Sequence, residues 1–153
     1  MINYVKGDIL EHATEGMLLH SGNARGIMNS GFAKSIREKY PEVYNVYKSD
    51  IDDGKKIGDI SWVIHEDKLL IGTIIGQLFY GRDPDTRYVS YDALDRALNH
   101  AFKSAKIFGF LQVNMVKIGA GLGGGSWSII EQIIINAATK NNFKTYNIFV
   151  YEL

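Results

Sequence analysis

The densest glycine cluster in the chain is the segment at residues 117–127, KIGAGLGGGSW, which holds five of the sixteen glycines. An apolar run that begins at Leu111 leads into this segment, and a helical pattern follows it. A strand that ends in a glycine loop before a helix exposes backbone N–H groups and the positive end of the helix dipole. Such groups bind phosphate or pyrophosphate, so the segment predicts a phosphorylated small ligand.

A second glycine turn, HSGNARGIMNSGFA at residues 20–33, also lies between a strand pattern and a helix pattern. Two such loops at one end of a sheet can hold both phosphates of a diphosphate. His20 and Asn23 then lie beside the phosphates as neutral polar groups. For either loop alone, a glycine turn that binds no ligand remains the alternative.

Gly119, Gly121 and Gly124 formally match the dinucleotide fingerprint GxGxxG. A Rossmann site normally opens the first βαβ unit and has an acidic residue about 20 positions later. Here the motif lies near the end of the sequence, and the corresponding residues 142–145 are NFKT. A Walker loop needs a Lys-Ser or Lys-Thr pair after its glycines, and none is present. The sequence therefore argues against an NAD-dependent oxidoreductase and against a P-loop enzyme.

The elements that must position these loops alternate between strands and helices. Strands are predicted at residues 2–5, 17–21, 60–65, 69–75, 111–118 and 146–151, and helices at residues 31–40, 41–51 and 91–108. Ser30 and Ser90 are placed as helix caps, and a capping box of Ser128 and Glu131 opens a last helix to about Asn141.

The order of these elements predicts an α/β fold with three layers. Two strand patterns, at residues 60–65 and 69–75, flank Glu66 and Asp67. They predict a hairpin and thus an antiparallel edge of the sheet. The remaining strands are mostly separated by helices, so the sheet is expected to be mixed and mainly parallel. Ligands of such sheets bind at the carboxyl ends of the strands, where the turns at residues 7–8, 22–31 and 119–125 lie.

The composition limits the function classes. A chain of 153 residues with 46% hydrophobic content predicts a single domain over residues 1–153. Seventeen basic and seventeen acidic residues balance, so we expect no nucleic-acid partner and no membrane partner. We also expect a monomer. There is no cysteine, and the four histidines lack paired metal spacing, so no metal and no cofactor are expected. No signal peptide or long apolar run is visible, so a cytoplasmic location is expected.

Four ordered motifs resemble macro domains: YVKGDIL at residues 4–10, LHSGN at 19–23, MNSGFA at 28–33, and KIGAGL at 117–122 before Trp127. The terminal VYEL agrees with this resemblance, which spans essentially the whole chain. The chain looks most like the small ADP-ribose 1″-phosphate phosphatase and O-acyl-ADP-ribose deacylase branch, including phage-encoded members. Residues 80–94 are similar to the phage-type members, which implies host cytoplasm if the chain is phage-encoded. The resemblance implies a three-layer α/β/α macro-domain fold.

The resemblance also implies a role for individual residues. Asp8 and Ile9 match the adenine-binding pair, Asn23 matches the asparagine beside the distal ribose, and Tyr151 is placed to pack on adenine. Two loops match the arms around the diphosphate; their residues are Gly26, Ser30, Gly31, Phe32 and Ala33, and Gly119, Ala120, Gly121, Leu122 and Gly123. The implied catalytic candidates are His20, which can orient water or protonate a leaving oxygen, Asn23 and Ser126.

Structural alternatives stand beside several of these roles. Asp8 can cap a turn, Asn23 can form an Asx turn, and His20 can be a hydrogen-bonded core residue. Ser126, at a position where many close relatives have an aspartate, can be a binding hydroxyl or a helix cap. The polar loop with Asp83 and Asp85 can cover the site or form an exposed turn.

Two departures from the family pattern bear on the chemistry. Deacylase and deglycosylase relatives use a lysine in the strand-end segment that here ends in Gln77, and an aspartate where this chain has Gly123. An amide cannot form an imine, so the lysine-dependent mechanism is not expected here.

The implied function is binding of ADP-ribose or a distal-ribose derivative with metal-independent hydrolysis, and ADP-ribose 1″-phosphate is the first expected substrate. The alternatives are a non-catalytic module that binds ADP-ribose or ADP-ribosylated protein, and an O-acyl-ADP-ribose deacylase.

Overall fold

The computed structural model describes residues 1–153, which form six strands and five α-helices. The strands are β1 (Asn3–Lys6), β2 (Gly16–Asn23), β3 (Ile60–His65), β4 (Leu69–Gln77), β5 (Val113–Met115) and β6 (Ile148–Glu152). The helices are α1 (Ile9–His12), α2 (Gly31–Lys39), α3 (Pro41–Asp52), α4 (Tyr91–Phe108) and α5 (Trp127–Lys140), with a 3₁₀ turn at Thr145–Asn147. No helix is both long and apolar enough to cross a membrane.

The six strands form one sheet in the order β1-β6-β5-β2-β4-β3. All neighbouring pairs are parallel except β3 with β4, which form the predicted antiparallel hairpin at one edge. This confirms the predicted mixed, mainly parallel sheet. Because parallel strands share an orientation, the loops that follow β1, β2, β4 and β5 all leave the sheet on the side where the carboxyl ends of these strands lie.

Each face of the sheet is covered by two long helices, which gives the predicted three layers. Successive side chains of a strand point to opposite faces. Along β2, Met17 and Leu19 belong to a core cluster with α4 and α5, whereas Leu18 belongs to a second cluster with α2 and α3. The central strand is thus buried on both sides, which is why it appears in the sequence as a continuous apolar run.

Helix α4 has the bounds that its sequence pattern predicts. The Ser90 hydroxyl accepts a hydrogen bond from the Ala93 N–H at 3.2 Å and caps the first turn. Gly109 ends the helix in the left-handed conformation, at φ 75°. Between these ends, an apolar stripe that includes Leu94, Leu98 and Phe102 is buried against the sheet and α5.

The structure differs from the sequence-based prediction in three of its elements. Helix α5 begins at Trp127, so Ser128 lies inside the helix, and Glu131 accepts a hydrogen bond from the Tyr4 hydroxyl; the predicted capping box is wrong. Strand β5 is three residues long because the chain turns into a loop directly after Met115. The short helix α1 lies in a segment too short to show a helical period.

Candidate functional site

A cleft of about 680 Å³ opens at the carboxyl ends of β2, β4 and β5. A smaller cavity of about 320 Å³ lies beside it, where β1 and β6 end. Phe32 and Val116 line both spaces, so the two lie next to each other at the carboxyl ends of the strands and are together called the depression. Parallel α/β sheets bind ligands at this edge.

The smaller cavity is lined by Asp8, Ile9 and Tyr151, for which the family resemblance implies contact with the adenine. The Asp8 carboxylate accepts a hydrogen bond from the Leu10 N–H at 2.9 Å and caps α1. This cap uses Oδ1 only, and Oδ2 has no hydrogen-bond partner in the chain. Asp8 therefore caps its turn and still presents a free carboxylate oxygen to the cavity.

The Asn23 side chain is buried and held by its own loop. Its Nδ2 donates to the Ile27 carbonyl at 2.9 Å, and its Oδ1 accepts from the Arg25 N–H at 3.0 Å. The Tyr47 hydroxyl donates to the backbone carbonyl of Asn23 and lies 3.2 Å from its Oδ1. These bonds leave one amide hydrogen of Nδ2 for the cleft, so Asn23 mainly fixes the shape of the loop after β2.

The first glycine loop ends at the N-terminus of α2. Gly31 starts this helix with φ 62°, a backbone conformation that favours glycine. Ser30 precedes it without making a side-chain cap, so the first N–H groups of α2 have no capping side chain. Ser30, Gly31, Phe32 and Ala33 all line the cleft. Together they present a helix N-terminus that suits a phosphate group.

The second glycine loop faces the first across the cleft. A Cβ atom at Gly31 would lie 3.5 Å from Leu122 Cδ1, which shows how closely the loops approach. The second loop is closed by a hydrogen bond from the Gly125 N–H to the Gly119 carbonyl at 2.8 Å. A Cβ at Gly121 would have no atom within 4 Å, so at this position the backbone is open to the cleft.

Gly123 is enclosed by backbone. A Cβ atom at this position would lie 2.7 Å from the Gly119 carbonyl oxygen, a distance that would force the loop to shift. The Gly123 carbonyl also accepts hydrogen bonds from the N–H groups of Tyr88 and Val89, at 2.8 and 3.0 Å. This loop conformation therefore has no room for the aspartate that the family resemblance places at residue 123.

His20 borders the cleft but is only 1% exposed. Its Nε2 lies 2.7 Å from Thr73 Oγ1, and its ring packs edge-on against Phe32 at a centroid distance of 5.9 Å. Its Nδ1 is buried and has no hydrogen-bond partner. Burial lowers the His20 pKa to about 3. The imidazole is therefore neutral near pH 7, and the proposed role as proton donor to a leaving oxygen does not fit this environment.

Three predicted site residues lie outside both cavities. Ser126 is exposed, and its Oγ lies 3.1 Å from Ser128 Oγ, so the structure gives it no catalytic position. Ala120 packs against the core beneath the loop. Gly26 is buried under Lys48, whose Cδ would lie 3.0 Å from a Cβ at that position.

The wall that follows β4 was not identified from the sequence. Gln77, Tyr80, Gly81 and Arg82 line the cleft there, and Lys117 lines it after β5. Leu78, Phe79 and Tyr80 are exposed although they continue the apolar run of β4, and this apolar excess beyond the strand was the available signal. Asp83 and Asp85 line neither cavity; they belong to an exposed turn, in which Asp83 accepts from the Asp85 N–H at 2.9 Å.

No family model matches the chain. The chain is 28% identical over 145 residues to an ADP-ribose 1″-phosphate phosphatase of Candida albicans, with 88% of this chain and 92% of the yeast protein covered. It is 28% identical to an ADP-ribose 1″-phosphate phosphatase of Debaryomyces hansenii over 99% of this chain and 98% of that protein. It is also 27% identical to an uncharacterized 17.5 kDa protein of phage T4, with 92% of each chain covered.

Solved structures share the fold over the whole chain. A protein of unknown function from Bacteroides thetaiotaomicron superposes with a TM-score of 0.88 at 26% identity and covers 100% of this chain and 98% of its own. A macrodomain protein from Streptomyces coelicolor gives a TM-score of 0.81 at 25% identity, with 100% and 99% covered. DarTG of Thermosipho africanus in complex with ADP-ribose gives 0.80 at 18% identity, with 99% of this chain and 42% of that chain covered. The chain is therefore similar in sequence to ADP-ribose 1″-phosphate phosphatases and shares the fold of macro domains.

Proposed function

We propose that this protein binds ADP-ribose derivatives along the depression and hydrolyses the terminal phosphate of ADP-ribose 1″-phosphate. One observation carries the proposal: the two cavities share Phe32 and Val116 in their lining, with a free carboxylate oxygen in the smaller cavity and two glycine loops lining the larger one. This matches a nucleotide whose base and sugars flank a diphosphate. The names of the curated yeast relatives support the same substrate.

The adenine occupies the smaller cavity. The free Oδ2 of Asp8 accepts a hydrogen bond from the exocyclic amino group. Ile9 is the first residue of α1, so its N–H has no partner within the helix and is available to a ring nitrogen. Tyr151 lines the same cavity and provides an aromatic surface for the base.

The diphosphate lies between the two glycine loops. The N-terminus of α2 supplies uncapped N–H groups on one side, and the open backbone around Gly121 approaches from the other. The distal ribose then reaches the far part of the cleft, beside Asn23, His20 and Gln77.

Hydrolysis in this cleft depends on positioning and electrostatic stabilisation. None of the residues that line the larger cleft is a carboxylate, and His20 is neutral with its pKa near 3. The neutral His20 ring helps to position the groups beside the scissile phosphate, and backbone N–H groups stabilise the charge that develops on phosphoryl oxygens. Gln77 stands where deacylase relatives use a lysine, so a covalent imine is not part of this chemistry.

The same observations favour a second candidate, a non-catalytic module that binds ADP-ribose or ADP-ribosylated protein. Such a module needs the depression and the loops but no acid or base. The two candidates share the ligand and differ only in turnover.

Phosphate release tests the proposal. The protein is incubated with ADP-ribose 1″-phosphate, released phosphate is measured, and ADP-ribose binding is measured by calorimetry in parallel. Gly121→Val serves as the blocked-site control, because any phosphate that this variant releases at the wild-type rate comes from another source. Binding without turnover supports the binding module. Release of acetate from O-acetyl-ADP-ribose, without release of phosphate from ADP-ribose 1″-phosphate, would indicate a deacylase. If the protein neither binds ADP-ribose nor releases phosphate from ADP-ribose 1″-phosphate, the proposed function is wrong.

A further inference from the structure

We propose that Arg82 is a specificity-determining residue that binds a terminal phosphoryl group on the distal sugar, so that the cleft selects the sugar phosphate over the dephosphorylated sugar. This inference rests on the proposed function of the cleft. It assigns the recognition of the terminal phosphate to Arg82, a side chain on the wall after β4 to which the sequence analysis gave no role of its own.

Arg82 is the charged residue of the cleft that has no ion-pair partner. Arg82 and Lys117 are the charged residues among the 21 that line it, and no acidic residue is present. Lys117 Nζ lies 2.9 Å from Glu152 Oε1, and this hydrogen bond lowers the pKa of Glu152, so the lysine charge is paired. Arg82 takes part in none of the six ion pairs. The cleft therefore carries one free positive charge.

The sheet order places this charge at the correct end of the ligand. The smaller cavity lies where β1 and β6 end, the glycine loops follow β5 and β2, and Arg82 lies in the loop that follows β4. Along the edge of the sheet the sequence of sites is thus the base pocket, the diphosphate loops and then Arg82. A nucleotide extended in this direction presents its terminal phosphate last.

The backbone that carries Arg82 is anchored on both sides. Before it, Gln77 forms a bridge with Val89 and donates from Nε2 to the Phe79 carbonyl at 2.7 Å. After it, the N–H groups of Tyr88 and Val89 donate to the Gly123 carbonyl. The wall is therefore fixed to the second glycine loop, while the guanidinium itself has no hydrogen bond within the chain. A backbone that is already fixed reduces the entropy lost when this segment binds a ligand.

The chemistry of the side chain favours a phosphate. A guanidinium stays protonated and donates two parallel N–H bonds to a phosphoryl group. Two other arginines near this end of the fold are already engaged with aromatic rings. Arg25 lies over the Phe79 ring at 5.2 Å, and Arg87 lies over the Tyr91 ring at 4.1 Å. Neither of them lines the cleft, so Arg82 is the guanidinium available to the ligand.

A calorimetric comparison of two nucleotides tests this assignment. The probes are ADP-ribose and a phosphonate analogue of ADP-ribose 1″-phosphate, in which a methylene replaces the bridging anomeric oxygen and prevents hydrolysis. Wild-type protein is expected to bind the phosphonate about tenfold or more tightly than ADP-ribose, since hydrogen bonds between a guanidinium and a phosphoryl group are charge-assisted and strong. Arg82→Gln is expected to bring the two affinities close to each other and to leave that for ADP-ribose within about twofold.

Arg87→Gln is the matched control, because it removes a guanidinium from the same loop outside the cleft. It should keep the wild-type preference for the phosphonate. The assignment is overturned if Arg82→Gln also keeps that preference, if Arg82→Gln weakens both ligands equally, or if the wild type shows no preference. In the last case ADP-ribose binding remains as support for the proposed function. If the wild type binds neither probe, the proposed function itself has failed.

Discussion

When the pH is lowered, the His20→Gln variant should lose much less stability than the wild type. The glutamine amide can keep a hydrogen bond to Thr73 Oγ1, which the histidine Nε2 now makes at 2.7 Å, but it cannot take up a proton at these pH values. In the folded wild type, burial lowers the His20 pKa from 6.5 to about 3. The unfolded chain releases the imidazole into water, where its ordinary pKa returns.

The sign of the effect follows from proton binding. Between pH 6.5 and about pH 3, the unfolded chain binds a proton at His20 that the folded chain excludes. Lowering the pH through this window therefore favours unfolding. Two pH units below the unfolded pKa, at about pH 4.5, the contribution amounts to about 3 kcal/mol. Above the window His20 is neutral in both states and contributes no pH dependence.

Urea unfolding at about pH 7.5 and about pH 4.5 measures this contribution. The wild type should lose about 3 kcal/mol more than His20→Gln between these conditions, whatever the variant costs at the higher pH. His100→Gln removes an exposed histidine by the same substitution and should behave like the wild type. Equal losses in the wild type and His20→Gln would show that His20 is not held neutral, and the argument against a proton-donor role would fall with it.

Three further substitutions test the loops and the smaller cavity. Gly121→Val should fold normally, because nothing lies within 4 Å of a Cβ there, and it should weaken calorimetric ADP-ribose binding at least about tenfold by occupying the cleft; intact affinity would show that this loop does not hold the ligand. Gly123→Ala should lower the free energy of unfolding in urea by about 1 to 3 kcal/mol, because its Cβ meets the Gly119 carbonyl at 2.7 Å, and wild-type stability would contradict that crowding. Asp8→Asn keeps an oxygen for the Leu10 N–H but should weaken ADP-ribose binding by about 1 to 2 kcal/mol, measured by calorimetry. An unchanged affinity would remove Asp8 from adenine recognition.

The parts of the fold that the sequence predicted well have strong local signals. Helix α4 combines a capping serine, an apolar stripe at helical spacing and a terminal glycine, and all three act in the structure. The β3–β4 hairpin pairs two apolar runs across a short polar turn. In both cases, neighbouring residues determine the outcome, so a local pattern is sufficient.

The sequence-based predictions were wrong where residues that are distant in the sequence determine the local structure. The pattern of Ser128 and Glu131 fits a capping box, yet Glu131 bonds to the Tyr4 hydroxyl, which comes from the edge strand β1. The wall at residues 78–82 has no period of its own, and its position depends on Val89 and on the carbonyl of Gly123. Gly123 is distant from Arg82 in the sequence, so the position of Arg82 in the cleft could not be derived from a local pattern.

For the site itself, most of the residues that the family resemblance named line the two cavities, but their environments could not be predicted. Asp8 caps its turn with only one of its two oxygens, so the cap leaves the other oxygen free and does not compete with the proposed adenine contact. His20 borders the predicted cleft, but its burial and the orphaned Nδ1 were not visible in a linear pattern. Burial is a property of the folded layers, and it determines which proton-transfer roles remain open to the side chain.

The missing carboxylate at Gly123 and the free charge at Arg82 are structurally connected. Gly123 is crowded by the Gly119 carbonyl, so the tight loop excludes an acidic side chain at this position. The carbonyl of the same residue accepts the two N–H bonds that anchor the segment behind Arg82. A loop opened enough to admit an aspartate would disturb this anchor, and its carboxylate would add a negative charge to a cleft whose lining residues now include none. In this chain the loop geometry therefore favours binding of an anionic sugar phosphate over acid–base chemistry from the loop.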